Sequence, residues 1–163
     1  SCILLALLGQ QRQSGGRMMA GYIQSSKTVE WSSPGWLVDY WAGIEGPFTF
    51  DPCATVENAV ADEFLTVEND GLKSPWKGKV WLNPPYGRGL NDWMAKANQE
   101  LQSGRVESIV ALLPSRTDTR WFHDHILSVG HEIHFLKGRI AYGEGRSRAP
   151  FASIVVVMRG GVE

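Results

Sequence analysis

Cysteine is nearly absent: Cys2 and Cys53 are the whole supply in 163 residues. Two such residues give neither a disulfide framework nor metal-ligand spacing, so a reducing cytoplasm is the expected setting. A surplus of charge is missing as well. Lys and Arg number 16, Asp and Glu 17, and the formal net charge is −1. Proteins that bind nucleic acid often carry a basic excess, so any such contact here must use a local patch or be weak. Cys2 to Leu8 is apolar but too short to span a bilayer, and no basic residue precedes it as a signal peptide would require. A cleaved signal remains the alternative for that stretch. His123, His125, His131 and His134 are all the histidines. The first two do not share a helical face, so no metal site is expected. Internal repeats and low-complexity tracts are lacking too.

What is present suits one globular domain. Apolar residues make up 43% and charged residues 20%, within the range of folded chains. Residues 1–26 read as an N-terminal extension, flexible or packed on a partner, with Met18 or Met19 as a candidate start. Residues 27–163 read as a single domain.

The central stretch is Val80-Trp81-Leu82-Asn83-Pro84-Pro85-Tyr86-Gly87. Three apolar residues end a buried strand, and two prolines stop the ladder because neither donates a backbone hydrogen bond. The strand thereby delivers an amide, a stiff backbone and an aromatic ring to the mouth of a sheet. Asn83 Oδ1 and the Pro84 carbonyl can accept from an amino group, and Tyr86 can stack on a planar heterocycle. A base flipped from a duplex is held by such parts.

Around it the chain alternates helices and strands. Trp31 to Ile44 predicts an amphipathic helix, capped by Ser33 with Pro34 in its first position. Trp36, Leu37, Tyr40, Trp41 and Ile44 share one face, expected to pack as core. Phe48 to Phe50 predicts a short strand ending at Asp51-Pro52-Cys53. Leu90 to Leu101 predicts a helix ended by Gly104. Ser108 to Leu113 predicts a strand covered on both faces. Thr119 to Leu127 predicts another helix; Glu132 to Ile140 and Phe151 to Met158 predict the last strands. Only about thirty residues separate Asp51 from Asn83, too few for two further strands with their helices, so the sheet is expected to be trimmed.

Asn-Pro-Pro-Tyr after a hydrophobic strand resembles the catalytic motif of amino-methyltransferases that use S-adenosylmethionine. The wider chain is similar to the short, phage-type DNA N6-adenine methyltransferases. The matching pieces are Ser33 to Leu37, Phe50 to Ala54, Asp70 to Leu72, Val80 to Gly87, Val110 to Phe122, Ile133 to Arg139 and Ala149 to Ser153. They run from about Trp31 to Met158. The resemblance implies an α/β fold: a three-layer αβα sandwich around a trimmed Rossmann-like methyltransferase sheet, mostly parallel with an antiparallel C-terminal strand. It implies S-adenosylmethionine as cofactor, DNA as partner and a bacterial host cell as the setting.

It also implies roles. Asn83, Pro84, Pro85 and Tyr86 would be catalytic. Asp51, Pro52, Cys53, Asp70 and Asn83 would meet the cofactor, Asp51 through its amino group and Asp70 through the ribose hydroxyls. A solvated turn acid is the other reading of Asp70. The usual glycine-rich continuation is replaced by Ala54-Thr55-Val56-Glu57-Asn58. Pro52-Cys53 also resembles the nucleophile pair of cytosine C5-methyltransferases, but its place after the first strand favours a small pocket-wall residue. Arg116 and Arg120 are candidates for substrate phosphate, or for ion pairs with Asp118 or Asp124. Phe151 would pack on the base or in the core. The loop Ala141 to Pro150, with Arg146, Arg148 and nearby Arg139, could track a nucleic-acid backbone or form a solvated hairpin tip.

The expected reaction is methyl transfer to N6 of adenine in DNA. The alternatives are transfer to RNA bases or protein glutamine, and a non-catalytic module that merely holds nucleic acid. Little of the chain remains for separate target recognition, so loose specificity, a homo-oligomer or a partner subunit is expected.

Overall fold

The computed structural model describes residues 32–143 and 148–161. The expected extension 1–26, the helix start at Trp31 and Arg146 of the basic loop lie outside the described residues. Six strands form one sheet in the order β2-β1-β3-β4-β6-β5. They are β1 (Phe50–Asp51), β2 (Glu63–Phe64), β3 (Gly78–Leu82), β4 (Val106–Pro114), β5 (Glu132–Phe135) and β6 (Ser153–Arg159). The first four run parallel, and β6 lies antiparallel between β4 and β5. This is the trimmed, mostly parallel sheet expected, with its antiparallel C-terminal strand.

Alternation along the three central strands builds two cores. Val80 and Leu82, Ile109, Ala111 and Leu113, and Ile154, Val156 and Met158 face one side. Trp81, Val110 and Leu112, and Val155 and Val157 face the other. Successive side chains of a strand point to opposite faces, so a continuous apolar run needs cover on both. Helix α2 (Leu90–Gln102) supplies the first cover with Leu90, Trp93, Met94, Ala97 and Leu101, joined by Trp121, Phe122 and Ile126. Helix α1 (Gly35–Glu45) supplies part of the second with Leu37 and Trp41. Gly104, at φ 76°, turns the chain out of α2 in a conformation glycine adopts without strain.

Several boundaries differ from expectation. Helix α1 starts after Pro34, and no side chain caps it; the Ser33 hydroxyl is engaged elsewhere, as described below. Only Leu37 and Trp41 of its apolar face are buried, while Trp36, Tyr40 and Ile44 are 56%, 47% and 54% exposed. An 11-residue helix lying on a flat sheet presents a narrow stripe to it, and this one carries apolar residues wider than that stripe. The expected strand at Phe48 begins at Phe50. The two-residue β2 has no sequence signal of its own. The helix expected to span Thr119 to Leu127 is one α-turn, α3 (Arg120–Phe122), that widens into a π-helix over His123–Leu127. Strand β5 stops at Phe135, and the chain leaves the sheet before Gly138, whose φ is 84°. No helix among the described residues is long and apolar enough to cross a membrane.

Candidate active site

Strands β1 and β3 are neighbours, with Phe50 opposite Val80. They therefore end side by side, and Asp51-Pro52-Cys53 lies next to Asn83-Pro84-Pro85-Tyr86. Ligands of open parallel sheets bind at that carboxyl edge.

A network of polar side chains fixes the Asn83 motif. Asn83 Nδ2 donates to Ser33 Oγ at 3.1 Å, and the Trp81 indole N–H donates to the same oxygen at 2.8 Å. The Tyr86 hydroxyl donates toward Asn83 Oδ1 at 2.9 Å and the Leu112 carbonyl at 3.0 Å, and lies 3.2 Å from the Tyr142 hydroxyl. One phenolic proton faces two acceptors, so the arrangement is completed when Tyr142 donates to Tyr86. Burial pushes both phenols above their usual range, so both stay neutral donors; for Tyr86 the neighbouring Tyr142 adds to the shift. Pro84 is buried, and its carbonyl accepts from no group among the described residues. Each backbone carbonyl is an obligatory acceptor, so this one is open to a donor from outside the described residues.

The Tyr86 ring meets Phe151 edge-on, with centroids 6.2 Å apart at 80°. The Arg116 guanidinium sits over Phe151 at 5.8 Å. Phe151 and Arg116, both singled out from sequence, thus come together beside Tyr86 of the motif. Arg120 begins α3, and neither it nor Arg116 pairs with an acid among the described residues, Asp118 and Asp124 included.

On the β1 side lies a cavity of about 280 Å³. Pro52, Cys53 and Asp70 line it, with Asn58, Leu72 and Trp93 among the others. The wall is shaped from beneath by Asp51. Its Oδ1 accepts from the Cys53 N–H and its Oδ2 from the Val60 N–H, each at 3.1 Å. Burial raises its pKa to about 6 against the pull of those two donors. Opposite, Gly71 packs so tightly that a Cβ would stand 2.1 Å from the Pro52 carbonyl oxygen and 2.8 Å from the Trp93 ring. Asp70, held at φ 51°, accepts from the Leu72 N–H and pairs with Lys73 at 2.8 Å. The hydrogen bond from Lys73 keeps its carboxyl below the usual range, so an anion stands at the rim.

The lining suits a nucleoside that carries a diol. Leu72 and Trp93 offer flat or apolar wall, Asp70 a carboxylate, and the Trp93 indole N–H is buried without a partner among the described residues. The Cys53 thiol, by contrast, is pushed up to about 12 by burial and by the Asp51 charge. It stays protonated, which removes it as a nucleophile. Residues 83–86 line neither this cavity nor the cleft beside α1 described further on. They stand between the two, Asn83 tied to Ser33 on one side and Tyr86 packed against the same core as Cys53 on the other.

Sequence reasoning missed Ser33 as an Asn83 partner, and it missed Tyr142 and Trp93. Ser33 before a helix carries a capping signal that hides its other use. Tyr142 sits in a glycine- and arginine-rich loop that reads as surface, and Trp93 reads as helix core.

The chain is 37% identical over 94 residues to a DNA N-6-adenine-methyltransferase of Escherichia phage T1, covering 56% of this chain and 38% of that protein. It is 27% identical over 116 residues to a DNA N-6-adenine-methyltransferase of Haemophilus phage HP1 (strain HP1c1), covering 69% and 65%. The chain thus spans less than two thirds of either relative's length. A crystal structure from Pyrococcus horikoshii, provisionally described as an RNA methyltransferase, superposes with a TM-score of 0.56 over 88% of this chain and 93% of that one. At 11% identity that likeness speaks for the fold alone. The sequence model of the DNA N-6-adenine-methyltransferase (Dam) family matches residues 22–159. The chain belongs to the DNA N-6-adenine-methyltransferase family.

Proposed function

We propose that the chain methylates the N6 amino group of adenine in DNA, using S-adenosylmethionine. The observation that carries this reading is the Pro84 carbonyl, without a partner among the described residues and one residue from the Asn83 carboxamide at the end of β3 in a chain of this family. S-adenosylmethionine supplies, when bound, an electrophilic methyl group on a sulfonium. The cavity beside Cys53 would hold it, with Asp70 toward the ribose hydroxyls and Trp93, Pro52 and Cys53 as wall. Asp51, which does not itself line the cavity, supports that wall through the Cys53 and Val60 N–H groups.

The chain's own residues do the rest. The N6 lone pair of adenine is delocalised into the ring, so the free amine is a poor nucleophile. Asn83 Oδ1 and the Pro84 carbonyl accept its two N–H groups and favour a tetrahedral nitrogen with a localised pair. That interaction strengthens toward the transition state, which is the condition for catalysis. Pro85 stiffens the loop that aims the carbonyl. Tyr86, fixed through its hydroxyl, and Phe151 hold the base plane, a positional contribution. Arg116 and Arg120 carry unpaired charge to a substrate phosphate.

The test is transfer of a labelled methyl group to DNA, RNA and protein acceptors offered separately. Label in DNA alone, recovered as N6-methyladenine, is expected. Label in RNA or in glutamine side chains would overturn the substrate assignment.

A further inference from the structure

A second cleft, of about 520 Å³, opens where α1 begins. Trp36, Lys137, Arg139 and Arg148 line it, together with Pro34 and Gly143. The three cations are exposed, and none pairs with an acid among the described residues. Lys73, Lys77, Lys96, Arg105 and Arg159 do, while Lys79, Arg88, Arg116 and Arg120 are likewise without an acid among the described residues. In a chain of net charge −1, unneutralised positive charge is thus gathered in a concavity, where low-dielectric walls focus the field on an anion. Trp36 adds a large ring that no core claims, 56% exposed. Cations along a groove with an exposed aromatic platform are what an unpaired nucleic-acid strand needs.

The cleft adjoins the catalytic loop at two points. Pro34 follows Ser33, whose hydroxyl holds Asn83. Gly143 follows Tyr142, whose hydroxyl meets Tyr86. The Gly143 N–H donates to the Ser32 carbonyl at 3.1 Å and clamps these two segments together.

We propose that this cleft holds the DNA strand that flanks the target adenine, with Lys137, Arg139 and Arg148 on its phosphates and Trp36 stacked on a neighbouring unpaired base. The proposal rests on the reading of Asn83 to Tyr86 as the base-handling motif. A base leaving the duplex drags its own backbone with it, and the cleft gives that backbone a seat beside the motif. It also reconciles a near-neutral chain with a polyanionic substrate.

The experiment measures binding of a labelled DNA duplex against salt concentration. Each phosphate contact contributes roughly 0.9 to the slope of log affinity on log salt. The Lys137→Ala/Arg139→Ala/Arg148→Ala variant should therefore lose a slope of about 2.7. Between 50 and 200 mM salt the wild type should lose roughly 40-fold more affinity than the variant. Lys77→Ala, which removes a charge at the opposite sheet edge, should leave the slope unchanged. Trp36→Ala should weaken binding on the order of tenfold with an unchanged slope, and should raise KM for DNA while kcat holds. Calorimetry with S-adenosylmethionine checks that each variant is folded. Should the triple variant not fold, Arg148→Gln alone should reduce the slope by about 0.9. A wild-type slope in the triple variant or in Arg148→Gln, with methyl transfer to DNA intact, would overturn the cleft and leave the activity standing. No transfer to DNA by the wild type would overturn both.

Discussion

Ser33→Ala separates what the Asn83 network does for stability from what it does for chemistry. The Ser33 hydroxyl accepts from the Trp81 indole at 2.8 Å and from the Asn83 amide at 3.1 Å. Trp81 is fully buried, so the variant strands a donor away from water. That costs about 1–3 kcal/mol, and about 2–4 °C of Tm per kcal/mol in a domain of this size. Asn83 separately loses one of the hydrogen bonds that fix which end of its carboxamide faces the substrate. A misaligned acceptor costs roughly 10- to 100-fold in kcat. The two effects come apart in a double-variant cycle with Trp81→Phe, which removes the stranded donor and whose own packing cost is measured alone. Ser33→Ala should cost less stability in the Trp81→Phe background than in the wild type, yet reduce kcat by the same factor in both. Ser33→Thr should restore kcat. Unfolding followed by circular dichroism and steady-state methyl transfer read the two quantities. Recovery of kcat together with stability in the double variant would refute the reasoning, because Ser33 would then act through packing alone.

Other outcomes follow from the cavity wall. Asp51 titrates near 6 when folded, against an ordinary value of 3.8, so the folded state holds its proton to higher pH. Its contribution is full below pH 3.8 and is lost as pH rises through 6, about 3 kcal/mol in all. Asp51→Asn should therefore be more damaging at pH 4.5 than at pH 7 in urea unfolding; a pH-independent difference would contradict that sign. Cys53→Ala should keep methyl transfer within a few-fold, and the thiol should resist alkylation at pH 8; rapid alkylation would show a thiolate that burial forbids. Gly71→Ala should drive a Cβ into the Pro52 carbonyl and weaken S-adenosylmethionine binding by calorimetry. An unchanged affinity would mean the cavity lies elsewhere.

Much of the frame was legible because continuous apolar runs such as Val110 to Leu113 have one solution in an α/β chain: a strand with cover on both faces. The Asn83 motif was legible because a double proline at a strand end leaves the ladder no choice. Helix α1 was half legible. Its period was right, but period cannot say how wide a stripe the sheet will accept, so Trp36, Tyr40 and Ile44 ended outside. Strand β2 was invisible because two residues carry no alternation. The π-helix at His123–Leu127 was invisible because an α-helix has the same local preferences. Ser33 and Tyr142 were missed for another reason. Their partners lie 50 and 56 residues away, and hydrogen bonds across such spans leave no local pattern.

Nucleoside analysis of DNA from cells that express the chain, beside cells that express Asn83→Ala, tests the central claim most directly. N6-methyladenine should appear with the wild type and vanish with the variant, while the purified variant still binds S-adenosylmethionine. Equal methylation by the two, or methyl groups on another base, would contradict the account.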